Sequence, residues 1–276
     1  MSTVPEVSLN NGVRIPQLGF GVWQVPADEV VDAVSTALEA GYRSIDTAAA
    51  YGNEEGVGTA IQRSGISRDE LFVTSKVWNS DHGYDATLRA FDATTQRLGM
   101  EHLDLYLIHW PMPEQDSYVS TWKALERLYS DGRVRAIGVS NFHRLHLQRV
   151  IEEGGIVPTV NQIELHPRLT QSAMREFHRE HGIATEAWSP LGQGKLLEEP
   201  TLQKLADSHG KTPAQVILRW HLQLGNVAIP KSVTPERIRA NFDVFDFELS
   251  NEDMDEVSAL NTGQRYGPDP DTMNVS

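Results

Sequence analysis

Residues 41–58, GYRSIDTAAAYGNEEGVG, join the end of an apolar strand to the start of a helix. The strand ends at Asp46, the loop that follows carries Tyr51, and helical spacing begins near Asn53. Loops held by a rigid scaffold are where binding and catalytic residues concentrate. A tyrosine hydroxyl can donate a proton, but its ordinary pKa of about 10 makes it a weak donor at neutral pH. A nearby cation lowers that pKa by stabilising the phenolate, and Lys76 is the expected source of the charge.

On both sides of this stretch, strand-like and helix-like segments alternate. Strands are predicted at residues 18–22, 44–47, 71–77, 103–109, 134–139, 160–163, 183–188 and 226–229. Helices are predicted at residues 28–39, 53–63, 84–98, 118–130, 144–153, 171–181, 201–209, 213–224, 235–241 and 251–260. Eight strand–helix units with no linker between halves predict an α/β protein whose single domain, residues 1–276, is a (β/α)8 TIM barrel.

Three segments stand apart from this alternation. Short alternating runs on either side of Asn10-Asn11-Gly12 predict an N-terminal β-hairpin over residues 7–15. Residues 251–260 are predicted as an extra C-terminal helix, and the tail after Asn261 is predicted to be irregular.

A doubly wound open sheet is the competing architecture. It would carry a glycine-rich fingerprint directly after its first strand. Here the first predicted strand is followed by the sequence WQVP at residues 23–26. The glycines at 56–58 lie inside a predicted helix, and GQGK at 192–195 lacks the upstream glycine of a phosphate-binding loop. These departures favour the barrel.

Composition narrows the classes of function. The formal net charge is −14, which opposes binding to nucleic acid or to anionic membranes. The chain has no cysteine, so disulfides, thiol catalysis and Cys-ligated metals are excluded. The first ten residues lack the features of a signal peptide, and no apolar run approaches the ~18 residues of a membrane span. We therefore predict a cytoplasmic protein with neither nucleic-acid nor membrane partners.

The carboxyl ends of barrel strands share one face, where the active site is expected. Lys76 ends a buried strand and needs a partner, because an unpaired buried charge is costly. Asp46 is the nearest candidate. One interpretation is a salt bridge that only closes the top of the barrel. The other is that Lys76, held by Asp46, lies beside the Tyr51 hydroxyl and turns it into a usable proton donor.

His109 ends the fourth predicted strand and could orient a substrate carbonyl as a neutral imidazole. Three tryptophans at strand ends could line an apolar substrate pocket: Trp23, Trp78 and, directly after His109, Trp110. No second histidine or acid lies at ligand spacing beside His109, so no metal site is predicted.

Two histidine pairs fall on predicted helices. His143 and His146, and likewise His178 and His181, are three residues apart. They lack the spacing and the glutamate of a helical zinc motif. Both pairs are therefore interpreted as solvated helix faces.

The remaining strand ends resemble a ligand clamp. Ser140, Asn141 and Gln162 offer hydroxyl and amide groups to a carboxamide, and Trp188 offers a flat face to an aromatic ring. A small cluster after the last strand, at the start of a helix, suits a phosphate group. Its members are Lys231, Ser232, Arg237 and Asn241.

Taken together, seven motifs resemble the aldo-keto reductases along essentially the whole chain. They are residues 41–58 as quoted, KVWN (76–79), LDLYLIHWP (103–111), IGVSNF (137–142), VNQIELHP (160–167), WSPLGQGK (188–195) and IPKSV (229–233). The ELHP, GQGK and DVFDF (243–247) elements are similar to the bacterial branch that includes 2,5-diketo-D-gluconate reductases.

The resemblance implies a barrel that binds NADPH (NADP+) without a Rossmann fold and a catalytic tetrad of Asp46, Tyr51, Lys76 and His109. It implies the following cofactor-binding residues: Ser140, Asn141, Gln162, Trp188, Ser189, Leu191, Gln193, Lys231, Ser232, Val233, Arg237 and Asn241. Trp23, Trp78, Trp110 and His109 would face the substrate.

The function expected from this resemblance is NADPH-dependent reduction of a small-molecule aldehyde or ketone by a monomer. Two alternatives remain open. One is a regulatory or sensor module of the same fold that binds a nicotinamide cofactor. The other is a metal-assisted barrel hydrolase, which the lack of convergent His and Asp ligands disfavours.

Overall fold

The computed structural model describes residues 4–275. The chain begins with an antiparallel hairpin of β1 (Glu6–Ser8) and β2 (Arg14–Pro16). Gly12 adopts a φ of +84° in the turn, a conformation that glycine reaches without steric penalty. The predicted hairpin is confirmed.

Among the described residues, eight parallel strands form the barrel. They are β3 (Phe20–Gly21), β4 (Ser44–Asp46), β5 (Phe72–Val77), β6 (Leu103–Ile108), β7 (Val134–Ser140), β8 (Val160–Glu164), β9 (Ala184–Trp188) and β10 (Val227–Ala228). Strands adjacent in the chain are paired in the sheet. The sheet closes because Leu18, just before β3, forms a parallel bridge with Ala228, and Gly19 donates its N–H to the Ala228 carbonyl at 2.9 Å. The predicted (β/α)8 barrel is confirmed.

In the part of the chain that the structure describes, ten α-helices accompany the strands. They are α1 (Val30–Ala40), α2 (Glu54–Ser64), α3 (Tyr84–Leu98), α4 (Tyr118–Ser130), α5 (Arg144–Glu153), α6 (Ser172–Glu180), α7 (Pro200–His209), α8 (Pro213–Gln223), α9 (Pro235–Phe242) and α10 (Asn251–Ser258). Their bounds agree with the predicted helices to within two residues, and α10 is the predicted C-terminal helix. Among the described residues, no helix has the length and apolarity needed to cross a bilayer.

The first and last barrel strands are shorter than predicted. The predicted strand at 18–22 is reduced to Phe20–Gly21, and that at 226–229 is reduced to Val227–Ala228. Pro230 lacks an N–H and so cannot extend the ladder from β10. Its carbonyl still accepts the Gly21 N–H at 3.1 Å, so the two short strands remain joined.

The hairpin covers one end of the barrel. Leu9 and Ile15 are buried and pack with Phe72, Val160 and Val227, which are the first residues of β5, β8 and β10. The amino ends of the strands are therefore filled by apolar side chains. Polar chemistry is left to the carboxyl ends, as is usual for this fold.

Candidate active site

Backbone strain is concentrated at the carboxyl ends of the strands. Within residues 4–275, seven non-glycine residues have positive φ, and each lies in a connection that follows a barrel strand: Gln24, Met112, Asp116, Asn141, Gln171, Ser189 and Gln193. Such conformations are unfavourable for residues with a Cβ and cluster at functional sites. This distribution marks the same face that the strand-end residues predicted.

Lys76, Asp46 and Tyr51 form one hydrogen-bonded group on this face. The Lys76 Nζ donates to Asp46 Oδ1 at 2.6 Å and to the Thr47 carbonyl oxygen at 3.0 Å. It also lies 3.3 Å from the Tyr51 hydroxyl. Lys76 is fully buried and Asp46 is 1% exposed, so the ion pair is shielded from water. The predicted contact between Lys76 and Tyr51 is present, which a salt bridge with a merely structural role would not require.

The pKa of Tyr51 differs from the expectation. Burial raises it above its ordinary value, Lys76 lowers it, and Asp46 raises it. The net direction is upward, so the expected lowering was wrong, because desolvation of the phenolate outweighs the attraction of the ammonium. Burial lowers the pKa of Lys76, but the charges of Asp46 and Tyr51 together raise it by more, so the net pKa is raised. The lysine therefore stays charged and the tyrosine stays protonated at neutral pH.

His109 follows β6 and lies beside Tyr51. The two ring centroids are 5.7 Å apart in an edge-to-face arrangement. Burial, with the charges of Lys76 and His82, holds the pKa of His109 well below its ordinary value. The imidazole is therefore neutral, with one nitrogen able to donate a hydrogen bond and the other able to accept one.

The three tryptophans predicted to face the substrate differ in exposure. Trp78 is half-buried, with its ring centroid 5.1 Å from that of His109. Trp110 is buried and stacks against His109 at 6.5 Å. Trp23 is 41% exposed in the loop after β3. Trp78 and Trp110 therefore contact the His109 ring, and contact of all three with a substrate stays a prediction.

Ser140, Asn141 and Gln162 meet at the ends of β7 and β8. Asn141 Nδ2 donates to Ser140 Oγ at 3.1 Å, and Ser140 Oγ donates to the Gln162 carbonyl at 2.9 Å. Gln162 Nε2 donates to Asp46 Oδ2 and to Glu186 Oε2, both at 2.8 Å. The residues predicted to hold a carboxamide therefore form one connected group that reaches Asp46.

Trp188 and the loop after it border this group. The Trp188 indole N–H donates to Asn141 Oδ1 at 2.8 Å. In the loop, Ser189 and Gln193 have φ values of +46° and +56°. Gln193 is exposed, whereas Leu191 is half-buried and packs against the core. Their cofactor-binding roles stay predictions, which the geometry neither requires nor opposes.

The cluster predicted to suit a phosphate, with the predicted cofactor contact Val233, lies along α9 and the segment before it. Lys231, Ser232 and Val233 precede the helix. Arg237 lies in its first turn, but Asn241 lies in its last turn, so the predicted position of Asn241 at the helix start was wrong. Lys231 and Arg237 are exposed, while Asn241 is buried. Thr234 precedes the helix without a side-chain capping bond, which leaves first-turn N–H groups for another acceptor. Two cations beside an uncapped helix start are suited to a phosphate.

Glu186 belongs to the site but was not singled out from the sequence. It is 1% exposed and lies opposite Gln162 in the β8–β9 register. Burial and the charge of Asp46 raise the pKa of Glu186 to about 8. Side-chain alternation would have identified it, because Glu186 lies two residues before Trp188 and shares its face of the strand.

Glu164, at the end of β8, holds the C-terminal tail (residues 261–275). Its Oε1 accepts the Tyr266 N–H at 2.6 Å, and its Oε2 accepts the Gly267 N–H at 2.9 Å. His166 Nε2 lies 2.9 Å from Oε1. Burial raises the pKa of Glu164, but these hydrogen bonds lower it more, and the net pKa is lowered. The sequence placed Glu164 at a strand end but gave no sign of its partners.

Further contacts tie the tail to the barrel, among them the Tyr266 ring stacked on His166 and two polar contacts farther along the tail. His143 Nδ1 lies 2.8 Å from Asp271 Oδ1. Asn79 Nδ2, just after β5, donates to the Val275 carbonyl at 2.6 Å. The tail is irregular, as predicted, and runs from β8 past the start of α5 to the loop after β5.

The histidine pairs are not simply solvated faces. His178 is fully buried, bonded to Asn161 Nδ2 at 2.9 Å and to Thr185 Oγ1 at 2.8 Å. His146 is buried as well, and only His181 is exposed as predicted. The interpretation was wrong for His178 and His146 because the helix faces that carry them turn toward the sheet and neighbouring aromatic rings.

A closed (β/α)8 barrel with a tyrosine, a charged lysine and a neutral imidazole at its carboxyl ends is a barrel equipped for proton transfer. The family model described as "Aldo/keto reductase family" matches residues 17–262. The chain belongs to the aldo/keto reductase family.

Individual relatives agree over nearly full length. An aldo-keto reductase of Mycolicibacterium smegmatis is 61% identical, with 99% of each chain covered. The glyoxal reductase of Bacillus subtilis is 55% identical, with 97% of this chain and 96% of the relative covered. A Gox0644 variant solved in complex with NADPH is 49% identical, with 99% of each chain covered and a TM-score of 0.95.

The predictions of family, enzyme class and cofactor are therefore confirmed. The protein is an NADP-dependent oxidoreductase that acts on carbonyl groups. This class of enzyme is favoured over both the sensor module and the metal-assisted hydrolase.

Proposed function

We propose that this enzyme reduces small aldehydes and ketones, dicarbonyl compounds among them, with Tyr51 as the proton donor. The observation that carries the proposal is the position of Lys76 Nζ, 3.3 Å from the Tyr51 hydroxyl and 2.6 Å from Asp46 Oδ1. A charged, fully buried lysine is held where a phenolate would form, and the neutral His109 ring lies next to that hydroxyl.

The chain offers groups that fit NADPH in kind. The cations and uncapped helix start at α9 suit its phosphate, and the half-buried Trp188 ring suits its nicotinamide. The connected amides at the ends of β7 and β8 suit its carboxamide. When bound, NADPH supplies the hydride.

Each member of the tetrad then has a separate task. His109 donates a hydrogen bond to the substrate carbonyl oxygen and orients it. Tyr51, protonated because its pKa is raised, gives its proton to that oxygen as negative charge develops there. Lys76 stabilises the phenolate left behind, and Asp46 holds Lys76 in place.

The substrate class rests on the glyoxal reductase among the relatives and on the aromatic residues around His109. Small dicarbonyls are proposed as the best substrates, and 2,5-diketo-D-gluconate as a substrate of the same branch. Steady-state kinetics over a carbonyl panel, with NADPH and with NADH, tests both. Higher kcat/KM for simple monoaldehydes than for every dicarbonyl would contradict this substrate class.

We also propose a single-domain cytoplasmic monomer with no metal. The supporting observations are the continuous barrel and the net charge of −14, which favours solubility. Sedimentation of the purified protein and its metal content test the monomer and the absence of metal.

Replacing Tyr51 with Phe tests the proton donor. We expect kcat to fall about 10²–10⁴-fold, the usual contribution of a positioned acid, with little change in NADPH affinity. Tyr106→Phe is the matched control. The buried Tyr106 ring packs against Phe91 of α3 and lies outside the tetrad, so removal of its hydroxyl should leave kcat unchanged. Wild-type turnover in Tyr51→Phe would refute the assignment.

A further inference from the structure

Glu186 places a second carboxyl group inside the barrel, beside the one already used. Its side chain is 1% exposed, and its Oε2 accepts a hydrogen bond from Gln162 Nε2 at 2.8 Å. Burial of an ionisable group is unfavourable unless its surroundings compensate. The tetrad does not include Glu186, so its position needs another explanation.

A continuous chain of hydrogen bonds connects Glu186 to the proton donor. Gln162 Nε2 bridges Glu186 Oε2 and Asp46 Oδ2. Asp46 Oδ1 accepts from Lys76, and Lys76 lies beside the Tyr51 hydroxyl. We refer to these five residues as the buried network.

Two carboxyl groups fix the orientation of the Gln162 amide. Its nitrogen donates to both, whereas the reverse orientation would place the amide oxygen against the Asp46 carboxylate, which can only accept hydrogen bonds. The Gln162 oxygen is therefore directed away from Asp46 and Glu186. It is left as an acceptor for a donor such as a carboxamide NH2.

The groups that face Glu186 come from several strands. Asp46 on β4 and Lys76 on β5 are the charged ones. Its neighbour on β10 is the apolar Val227. Helix α6 packs outside β9, and its buried His178 is hydrogen-bonded to Thr185. The Thr185 side chain lies on the face of β9 opposite to that of Glu186. Tyr51 is the remaining titratable group that Glu186 influences.

We propose that Glu186 is a positioning residue for carbonyl reduction, which fixes the Gln162 amide through a hydrogen bond and, once ionised at alkaline pH, adds a second negative charge beside Asp46. The proposal rests on the role of Tyr51 as proton donor. The hydrogen bond and the charge are separable contributions, because glutamine can replace the first and not the second.

The effect of the charge has a definite sign. Glu186 has a pKa of about 8, so it is ionised at the alkaline pH where Tyr51 begins to lose its proton. The charges of Asp46 and Glu186 both raise the pKa of Tyr51. Removing one of them lowers that pKa. The alkaline decline in kcat/KM for reduction should then begin at a lower pH.

Two variants distinguish the contributions. Glu186→Gln keeps an acceptor for Gln162 and loses the charge, so the alkaline limb of kcat/KM should move down by about one pH unit. Its kcat at pH 6 should stay within about threefold of wild type. Glu186→Asp keeps the charge but is one methylene shorter, so the limb should stay in place while kcat falls and KM for NADPH rises, each about threefold or more.

Glu164→Gln is the control, since it removes another buried carboxyl from the neighbouring strand and should not move the alkaline limb. Thermal melts establish that each variant is folded. If Glu186→Gln does not fold, Glu186→Asp still tests the anchoring of Gln162. An unshifted limb in Glu186→Gln, or wild-type kcat and KM in Glu186→Asp, overturns the proposal. Tyr51→Phe tests the proton donor separately, so its loss of turnover beside an unshifted Glu186→Gln would leave the proposed function standing.

Discussion

The buried network and the C-terminal tail lie on the same face of the barrel but are held in opposite ways. Four of the five network side chains are buried, two of them as an ion pair at 2.6 Å, and the fifth, Tyr51, is half-buried. The tail is held by backbone groups bonded to Glu164 and Asn79, by the Tyr266 ring stacked on His166, and by the exposed carboxylate of Asp271. Substitutions in the network should therefore change the chemistry, and substitutions along the tail should change access and binding.

The largest effect is expected from Lys76→Met. It removes the cation beside Tyr51 and leaves Asp46 buried and unpaired. We expect kcat to fall about a thousandfold and the free energy of unfolding to drop by about 3–5 kcal/mol. NADPH consumption and denaturant unfolding measure the two effects.

A double variant separates stability from chemistry. Lys76→Met with Asp46→Asn removes both charges, so much of the lost stability should return while activity does not. Recovery of turnover in the double variant would show that the ion pair serves the fold and not the reaction.

A smaller effect is expected from Glu164→Leu, which releases the first tie of the tail. Two backbone N–H groups lose a charged acceptor, at about 1.5–3 kcal/mol each. We expect proteolysis within residues 261–275 to accelerate and the substrate KM to rise about tenfold, with kcat changed less. Glu164→Gln retains one acceptor and should give an intermediate result. A loss confined to kcat would place Glu164 with the buried network.

The smallest effect is expected from Asp271→Ala. The Asp271 side chain is 60% exposed, and such ion pairs contribute at most about 1 kcal/mol. We expect kcat/KM to change less than twofold at moderate salt, with the difference from wild type vanishing at high salt. A tenfold loss would mean that the distal tail matters to the site as much as the network does.

Predictions from the sequence were most accurate for features that a local pattern of apolar residues specifies. Alternating segments predicted the closed barrel and every helix to within two residues, because apolar spacing reports which face of an element is buried. The end of each strand predicted which residues would share a face. The sequence therefore predicted that Asp46, Lys76 and Tyr51 lie close together.

The predictions that were wrong concern properties set by the tertiary surroundings of a residue, which no local sequence pattern contains. The net pKa of Tyr51 is set by desolvation, which depends on everything packed around it. His178 is predicted to be exposed from the sequence of its helix alone, but the helix packs on the sheet and His178 is hydrogen-bonded to Asn161 of β8. Even Glu186, visible from strand alternation, acquires meaning only through its bond to Gln162.

The amino-acid sequence by itself determined the barrel and placed the four residues of the proposed tetrad at the carboxyl ends of its strands, because strand and helix periodicity and strand order are encoded locally. Barrel closure decided the rest. It brings Gln162 across 116 positions to Asp46 and ties Tyr266 across 102 positions to Glu164. Such contacts, and the burial that sets each proton affinity, exist only once all eight strands have met.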